Sequence, residues 1–254
     1  MHKFLGIVLI VLAALYGLAC LALYLVQRSL IYYPPREAAL AAPVVSTLAV
    51  PGALLKVSER PLEGRKALVY FGGNAEDVSA SLPLLERAFP DRALYLLHYR
   101  GYAGSTGSPT ERDLVADAVR LFDHVAARHP DVVLVGRSLG SGVAVQVASR
   151  RPVGRLVLVT PYESIAGIAA RQFRVFPVRW LLKDSYESGN YAARVKAPTL
   201  ILAAAQDEVI PAWSTRRLLS RFAPGIATYR QLEGVGHNTI SQSPDYIPSL
   251  QWAH

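Results

Sequence analysis

Apolar residues in this chain come in short dense runs, separated by stretches where they recur every three or four positions. The runs are Lys66 to Phe71, Ala93 to Tyr99, Val132 to Val135, Arg155 to Thr160 and Thr199 to Ala204, and Ala227 to Leu232 reads as a last, more polar strand. Runs this compact, closed by glycine or polar turns, predict strands buried on both faces, as in a parallel sheet. The intervening stretches read as helices: Ala80 to Phe89 ending at Pro90, a segment following Ser138, one near Trp213 to Phe222, and one around Tyr246 to Trp252. Leu114, Ala118, Leu121, Phe122 and Val125 also recur at helical spacing, behind Thr110 and Asp113. That pair resembles a capping box in which Asp replaces the usual Glu. Alternation of this kind predicts an α/β domain, a mostly parallel sheet with helices on both faces.

Two regions break the rhythm. After Pro34-Pro35 the chain to about residue 65 reads as a loose linker and then short strands, Leu54 to Ser58 being the better candidate. Residues 161–196 are interrupted by Pro161, Pro177 and Gly189 yet carry Phe173, Phe176, Trp180, Leu181 and Leu182. This region suits a packed surface helix as well as a small lid over a site.

The amino-terminal pattern differs in kind. Phe4 to Val26 is uncharged and mostly apolar, bounded by Lys3 and Arg28. About 20 apolar residues cross a bilayer, whereas the apolar part of a cleaved signal is only about 7–15 long. Gly17-Leu18-Ala19-Cys20 is similar to a lipoprotein cleavage site but lacks leucine at its first position, and the apolar run continues beyond it. An uncleaved single-pass transmembrane anchor is therefore expected. Tyr16 and Tyr24 lie inside the span, and Tyr32 and Tyr33 follow it at the level of an interfacial aromatic belt. Lys3 on one side against Arg28 and Arg36 on the other leaves the orientation open. The expected division is residues 1–28 as anchor and 29–254 as the α/β domain, with 161–196 within it.

The chain has 254 residues, 52% hydrophobic and 18% charged, which supplies one substantial core and excludes a disordered chain. The formal charge is +8, but it is not gathered into a Lys/Arg run or a nucleic-acid module. A basic solvated surface is expected, and no nucleic-acid partner. Cys20 is the single cysteine, so an intramolecular disulfide and a Cys-based zinc site are ruled out. No phosphate-cradling loop or metal-ligand cluster is evident, and no cofactor or metal is expected.

One motif carries chemistry. The run Val132 to Val135 ends in Gly136-Arg137-Ser138-Leu139-Gly140, a G-x-S-x-G pattern, with small residues Ser141, Gly142 and Ala144 following. Strand, sharp turn and helix in that order form the context of a nucleophile elbow, which holds a serine proud of the sheet. Asp207 and His237 also stand just beyond predicted strands, where the ligand-binding groups of parallel sheets gather. A serine hydroxyl is a weak nucleophile at neutral pH; His237 would take its proton and later return it to the leaving group, with Asp207 orienting the ring. Glu208 competes with Asp207. Among rival histidines His98 and His124 look structural, and His129 ends a helix whose dipole suits a cation. His254 closes the chain. The oxyanion needs backbone donors: Leu139 N–H after the serine, and Asn74 N–H in the Gly72-Gly73-Asn74 loop after an earlier strand.

Several further stretches accompany these residues: Gly73-Asn74-Ala75, His98-Tyr99-Arg100-Gly101-Tyr102 with Gly104 and Ser105, Gly236-His237-Asn238, and Arg28-Ser29-Leu30-Ile31-Tyr32-Tyr33-Pro34. Together with the elbow they make residues 25–245 resemble the α/β-hydrolase-fold serine hydrolases, especially the small membrane-anchored α/β-hydrolase-domain proteins. The resemblance implies the α/β-hydrolase fold and a serine triad mapped onto Ser138, Asp207 and His237. Gly72 stands where such relatives commonly have histidine, a departure that touches the rigidity and polarity of the oxyanion loop rather than its backbone donors. The expected activity is hydrolysis of carboxylic esters or thioesters through an acyl-enzyme, on a small acyl-ester or lipid-like substrate at a membrane. Peptidase or acyltransferase chemistry on the same triad, and a non-catalytic binding role, remain open. So do oligomeric state and membrane side.

Overall fold

The protein is described by a computed structural model covering residues 1–35 and 44–253. Arg36 and His254 lie outside the described residues. Eight strands form one sheet: β1 (Val44–Val50), β2 (Ala53–Arg60), β3 (Lys66–Phe71), β4 (Ala93–Leu97), β5 (Asp131–Arg137), β6 (Arg155–Val159), β7 (Thr199–Ala204) and β8 (Ala227–Leu232). Their order across the sheet is β1-β2-β4-β3-β5-β6-β7-β8, antiparallel for the first two pairings and parallel for the rest.

The central strands alternate apolar side chains between two faces. Val69, Phe71, Leu134, Leu156, Leu158 and Ile201 belong to one core, which takes in the helices Glu111–Ala126 and Leu139–Ala148. Leu68, Tyr70, Val133, Val135, Val157 and Val159 belong to the other, closed by the helices Leu82–Ala88 and Tyr246–Leu250. Residues on a strand point alternately to opposite faces, so a run that is apolar throughout requires cover on both. Thr110 caps the helix Glu111–Ala126: its Oγ1 accepts from Asp113 N–H at 3.1 Å and donates to the Asp113 carboxylate at 2.9 Å.

The amino-terminal part of the sheet is more ordered than its sequence suggests. β1 and β2 form a hairpin turning at Pro51-Gly52, where Gly52 has φ +77°. β1 is an edge strand exposed over much of its length, so its apolar pattern is diluted and reads as linker. The expected helix from Ala80 is shorter, running Leu82–Ala88 behind a 3₁₀ turn at Val78–Ser81. Residues 161–196 fold as three short helices, Ile165–Gln172, Val178–Leu181 and Ser188–Ala192.

The helix His2–Ile31 is long and apolar enough to cross a membrane, with a mean hydropathy of 2.7 over its best window and none of that window buried. It continues past residue 28, where the domain boundary is expected. Its last turns are stitched to the 161–196 region. Arg28 donates to the buried Asp184 carboxylate at 2.9 Å, Gln27 donates to Leu181 C=O at 3.0 Å and accepts from Lys183 N–H, and Tyr16 donates to Val175 C=O at 2.8 Å.

Candidate active site

Sheet order brings the site together. The chain departs from β3 to β4 on one side and to β5 on the other, so the carboxyl ends of β3 and β5 lie side by side with Phe71 paired to Gly136. Ligand sites of open α/β sheets form at such a reversal. Gly72-Gly73-Asn74 leaves β3 and Ser138 leaves β5 at this point.

Ser138 adopts φ +48°, ψ −117°, a backbone state that non-glycine residues populate only when the surroundings enforce it. Three constraints do so. Ser138 N–H donates to Val159 C=O of β6 at 2.9 Å, its C=O accepts from Ser141 N–H at 2.9 Å, and the helix Leu139–Ala148 starts at the next residue. The flanking glycines are steric necessities: a Cβ at Gly136 would lie 2.5 Å from Gly140 O, and one at Gly140 would run into the Phe71 carbonyl.

His237 Nε2 lies 2.9 Å from Ser138 Oγ, and His237 Nδ1 lies 3.0 Å from both Asp207 carboxylate oxygens. An ionised carboxylate only accepts, so Nδ1 carries the proton and Nε2 is left to accept from the serine hydroxyl. Asp207 is held by its own turn, Oδ1 accepting from Val209 N–H at 3.0 Å and Ile210 N–H at 2.7 Å. Glu208 turns elsewhere, its Oε2 accepting from His237 backbone N–H at 3.0 Å. That bond and one from its own N–H hold the Glu208 carboxyl below its ordinary range. Asp207 therefore meets the ring and Glu208 the backbone of the same histidine.

The other described histidines lie elsewhere. His124 is exposed. His129 is buried beyond its helix, with Nδ1 2.8 Å from Gly64 C=O and Nε2 3.1 Å from Tyr95 OH, so it joins β4 to the loop between β2 and β3. His98 packs beside Ser58, Nε2 to Oγ at 2.8 Å, and burial lowers its pKa from 6.5 despite Asp77 at 3.9 Å. The unfolded chain therefore binds the His98 proton near pH 6.5 while the folded chain waits for lower pH. Stability contributed by neutral His98 is complete above 6.5 and is lost on acidification below it, by up to about 1.4 kcal/mol per pH unit. The Tm gap between wild type and His98→Gln is expected to narrow as the pH falls from about 7 to about 5. A gap independent of pH would refute this.

The Asn74 side chain is engaged through both its amide nitrogen and its oxygen. Its Nδ2 donates to Ile31 C=O at 2.7 Å, and its Oδ1 accepts from Tyr33 N–H at 2.9 Å, Tyr102 OH at 2.9 Å and Ala75 N–H at 3.0 Å. Among the described residues neither Asn74 N–H nor Leu139 N–H has a protein acceptor. Two backbone donors thus remain near the serine, since a Cβ at Gly73 would lie 3.5 Å from Ser138 Cβ.

A model of the alpha/beta hydrolase family matches residues 71–193. An uncharacterized protein of Mycobacterium tuberculosis is 33% identical over 232 residues, covering 84% of this chain and 80% of that protein. The chain belongs to the alpha/beta hydrolase family. A lysophosphatidylserine lipase of Macaca fascicularis is 31% identical over 177 residues, which is 58% of this chain and 44% of the lipase. The chain thus spans under half of that relative's length. An esterase of Pyrococcus furiosus superposes with a TM-score of 0.68 at 16% identity, over 87% of this chain and 97% of the esterase, and shows the shared fold.

In this member of the alpha/beta hydrolase family the sequence pattern left out the group that braces the Gly72-Gly73-Asn74 loop after β3. Glu76 accepts from Gly73 N–H at 2.6 Å, Arg137 Nη1 at 3.1 Å, Tyr70 OH at 2.7 Å and Ser81 OH at 2.8 Å. It ties the loop after β3 to the elbow through Arg137. Tyr99 adds a bond from its hydroxyl to Gly72 C=O at 2.9 Å. A Cβ at Gly72 would sit 2.5 Å from Val78 Cγ1, so any larger side chain there requires Val78 to move. The half-buried Arg137 between the motif glycines was the available signal, since such a cation needs a counter-charge.

Proposed function

We propose that the protein is a membrane-tethered serine hydrolase that cleaves carboxylic ester or thioester bonds through an acyl-enzyme. The observation that carries this reading is the Ser138–His237–Asp207 relay, with every contact at hydrogen-bond distance. Ser138 Oγ attacks the acyl carbon as His237 Nε2 takes its proton. Asp207 stabilises the imidazolium without receiving the proton. Leu139 N–H and Asn74 N–H face the developing oxyanion, each such donor contributing about 2.7–4 kcal/mol to the transition state. Collapse expels the leaving alkoxide or thiolate, protonated by Nε2. Water, deprotonated by the same nitrogen, then frees the acid and restores the Ser138 hydroxyl.

Tethering draws support from the helix His2–Ile31 and from its bonds to Asp184, Leu181 and Lys183. Removing this helix as a signal would strip partners from the buried Asp184. The lipase name borne by the macaque relative favours a lipid-like substrate.

A fluorophosphonate probe, which phosphonylates activated serines, tests the reading on membranes bearing the full chain. Labelling of a carbonate-resistant membrane protein, together with hydrolysis of p-nitrophenyl esters, is expected. A folded protein that neither labels nor hydrolyses any ester or thioester would overturn the hydrolase; one that labels but is stripped by carbonate would overturn the tether.

A further inference from the structure

Beside the relay lies a cavity of about 370 Å³ whose lining side chains are apolar apart from Gln27 and Gln172. One wall is the end of the amino-terminal helix, with Leu23, Leu30 and Ile31; the opposite wall is Ile168 and Phe176 from the 161–196 region. Val209 and Ile210 complete it, and their N–H groups are the ones that hold the Asp207 carboxylate. The cavity therefore borders the turn that holds Asp207. The Gln27 amide is already engaged by Tyr24 C=O, Leu181 C=O and Lys183 N–H, so it offers little to a polar ligand.

We propose that this cavity is the binding site for the alkyl chain of a single-chain acyl lipid, and that the helix His2–Ile31 forms part of that site rather than serving only as a tether. The inference rests on the serine-hydrolase reading for what happens to the lipid, and on separate observations for where the chain sits. The size suits one chain: about 370 Å³ accommodates on the order of a dozen groups of a water molecule's volume, ~30 Å³ each, and a methylene is close to that size.

The source of the lipid is read from the flanks. Tyr16 stacks on Phe176 with ring centroids 5.9 Å apart and planes 6° apart, and it also bonds Val175 C=O. Tyr16 lies twelve residues before Arg28, and a helix rises about 1.5 Å per residue. The 173–182 segment thus runs alongside roughly 18 Å of the helix, bonded to it at Tyr16 and at Gln27. Its large apolar side chains point outward, Val175 being 72% and Trp180 89% exposed. Arg171, Arg174, Arg179 and Lys183 border them with no acidic residue between, a combination suited to the boundary of an anionic lipid surface. The cavity is walled on one side by a helix apolar enough to lie in lipid and on the other by a segment whose exposed apolar side chains meet the lipid surface. An acyl chain can pass from the bilayer into the cavity without crossing water.

The test uses the full chain in nanodiscs of phosphatidylcholine with phosphatidylglycerol. Wild type is expected to show kcat/KM rising from butanoyl to dodecanoyl p-nitrophenyl ester, by at most about four-fold per methylene buried. Leu30→Trp and Ile168→Trp, which fill the cavity from opposite walls, are expected to lower the dodecanoyl-to-butanoyl ratio about ten-fold or more. Ratios unchanged in both variants, with fluorophosphonate labelling retained, would overturn the site. A second measurement needs neither turnover nor a variant: a dodecanoyl amphiphile bearing a terminal diazirine, photolysed in the nanodisc, should mark the peptides holding Leu23–Ile31 and Ile165–Phe176. Those adducts without any ester turnover would leave the site standing and sink the hydrolase. Turnover with adducts spread at random over the span would do the reverse.

Discussion

Ser138→Ala is expected to lower kcat on a p-nitrophenyl ester by about 10⁴–10⁶-fold and to abolish fluorophosphonate labelling, with little change in Tm. The magnitude follows from what the relay does. Without Oγ no acyl-enzyme forms, and any remaining turnover must come from water attacking a carbonyl still polarised by backbone donors. His237→Ala should cost a comparable factor, because its Nε2 lies 2.9 Å from Oγ and in the proposed mechanism it is the base both in attack and in deacylation. The two losses should not multiply. Groups that act as one unit give a double variant about as poor as either single one. Asp207→Asn should fall by about 10⁴-fold, since an amide no longer favours the tautomer with the proton on Nδ1. The measurement is kcat on one ester for wild type, the three single variants and the Ser138/His237 double variant. Wild-type turnover in His237→Ala would remove the relay from the mechanism, and a fully multiplicative double variant would show that serine and histidine act independently.

Gly140→Ala is expected to be the most damaging single change to stability. The added methyl would run into the Phe71 carbonyl oxygen and lie 2.5 Å from Phe71 C and 2.6 Å from Gly72 O. All three are backbone atoms of β3 and of the loop that follows it, so no side-chain rotation relieves the contact. Either the helix Leu139–Ala148 lifts from the sheet or the loop carrying Asn74 moves. Such overpacking against rigid backbone belongs to the rare class costing above about 4 kcal/mol, or about 10 °C or more in Tm for a domain of this size. Thermal unfolding followed by circular dichroism in detergent reads it, with failure to accumulate in membranes as the extreme. A Tm within about 2 °C of wild type would show that the helix does not press on β3.

These two expectations concern one motif, and the motif separates local determinants from distant ones. The elbow was legible because its determinants are local: a dense apolar run, two glycines and small residues, close together in the chain. The strands β3, β7 and β8 have the bounds that the sequence suggested; β3 and β7 are covered on both faces and leave an uninterrupted apolar signature, whereas β8 is an edge strand whose bounds came from the turns on either side. β1 was hidden by its place at the edge, where one covered face imposes less pattern. Glu208 was a rival to Asp207 as long as only distance along the chain was considered. Their roles diverge through the turn that points Oδ1 of Asp207 at two N–H groups and sends the Glu208 side chain to the histidine backbone.

Glu76 shows the limit most clearly. Its four donors come from Tyr70, Gly73, Ser81 and Arg137, and the last is brought close only because β5 lies against β3. The same holds for the 161–196 region, which sequence left between lid and packed helix. Its apolar side chains meet Tyr16, Leu23 and Leu30 from the opposite end of the chain.

From the sequence by itself came the alternating architecture, the apolar amino-terminal span and the three polar residues poised after strands, because burial and turn geometry act over a few neighbouring residues. The tertiary structure alone decided that these three meet, that Glu76 braces the loop beside them, and that the span walls an apolar cavity. Such contacts join residues 30 to 159 positions apart. They depend on the order in which strands enter the sheet, and no local period records that order.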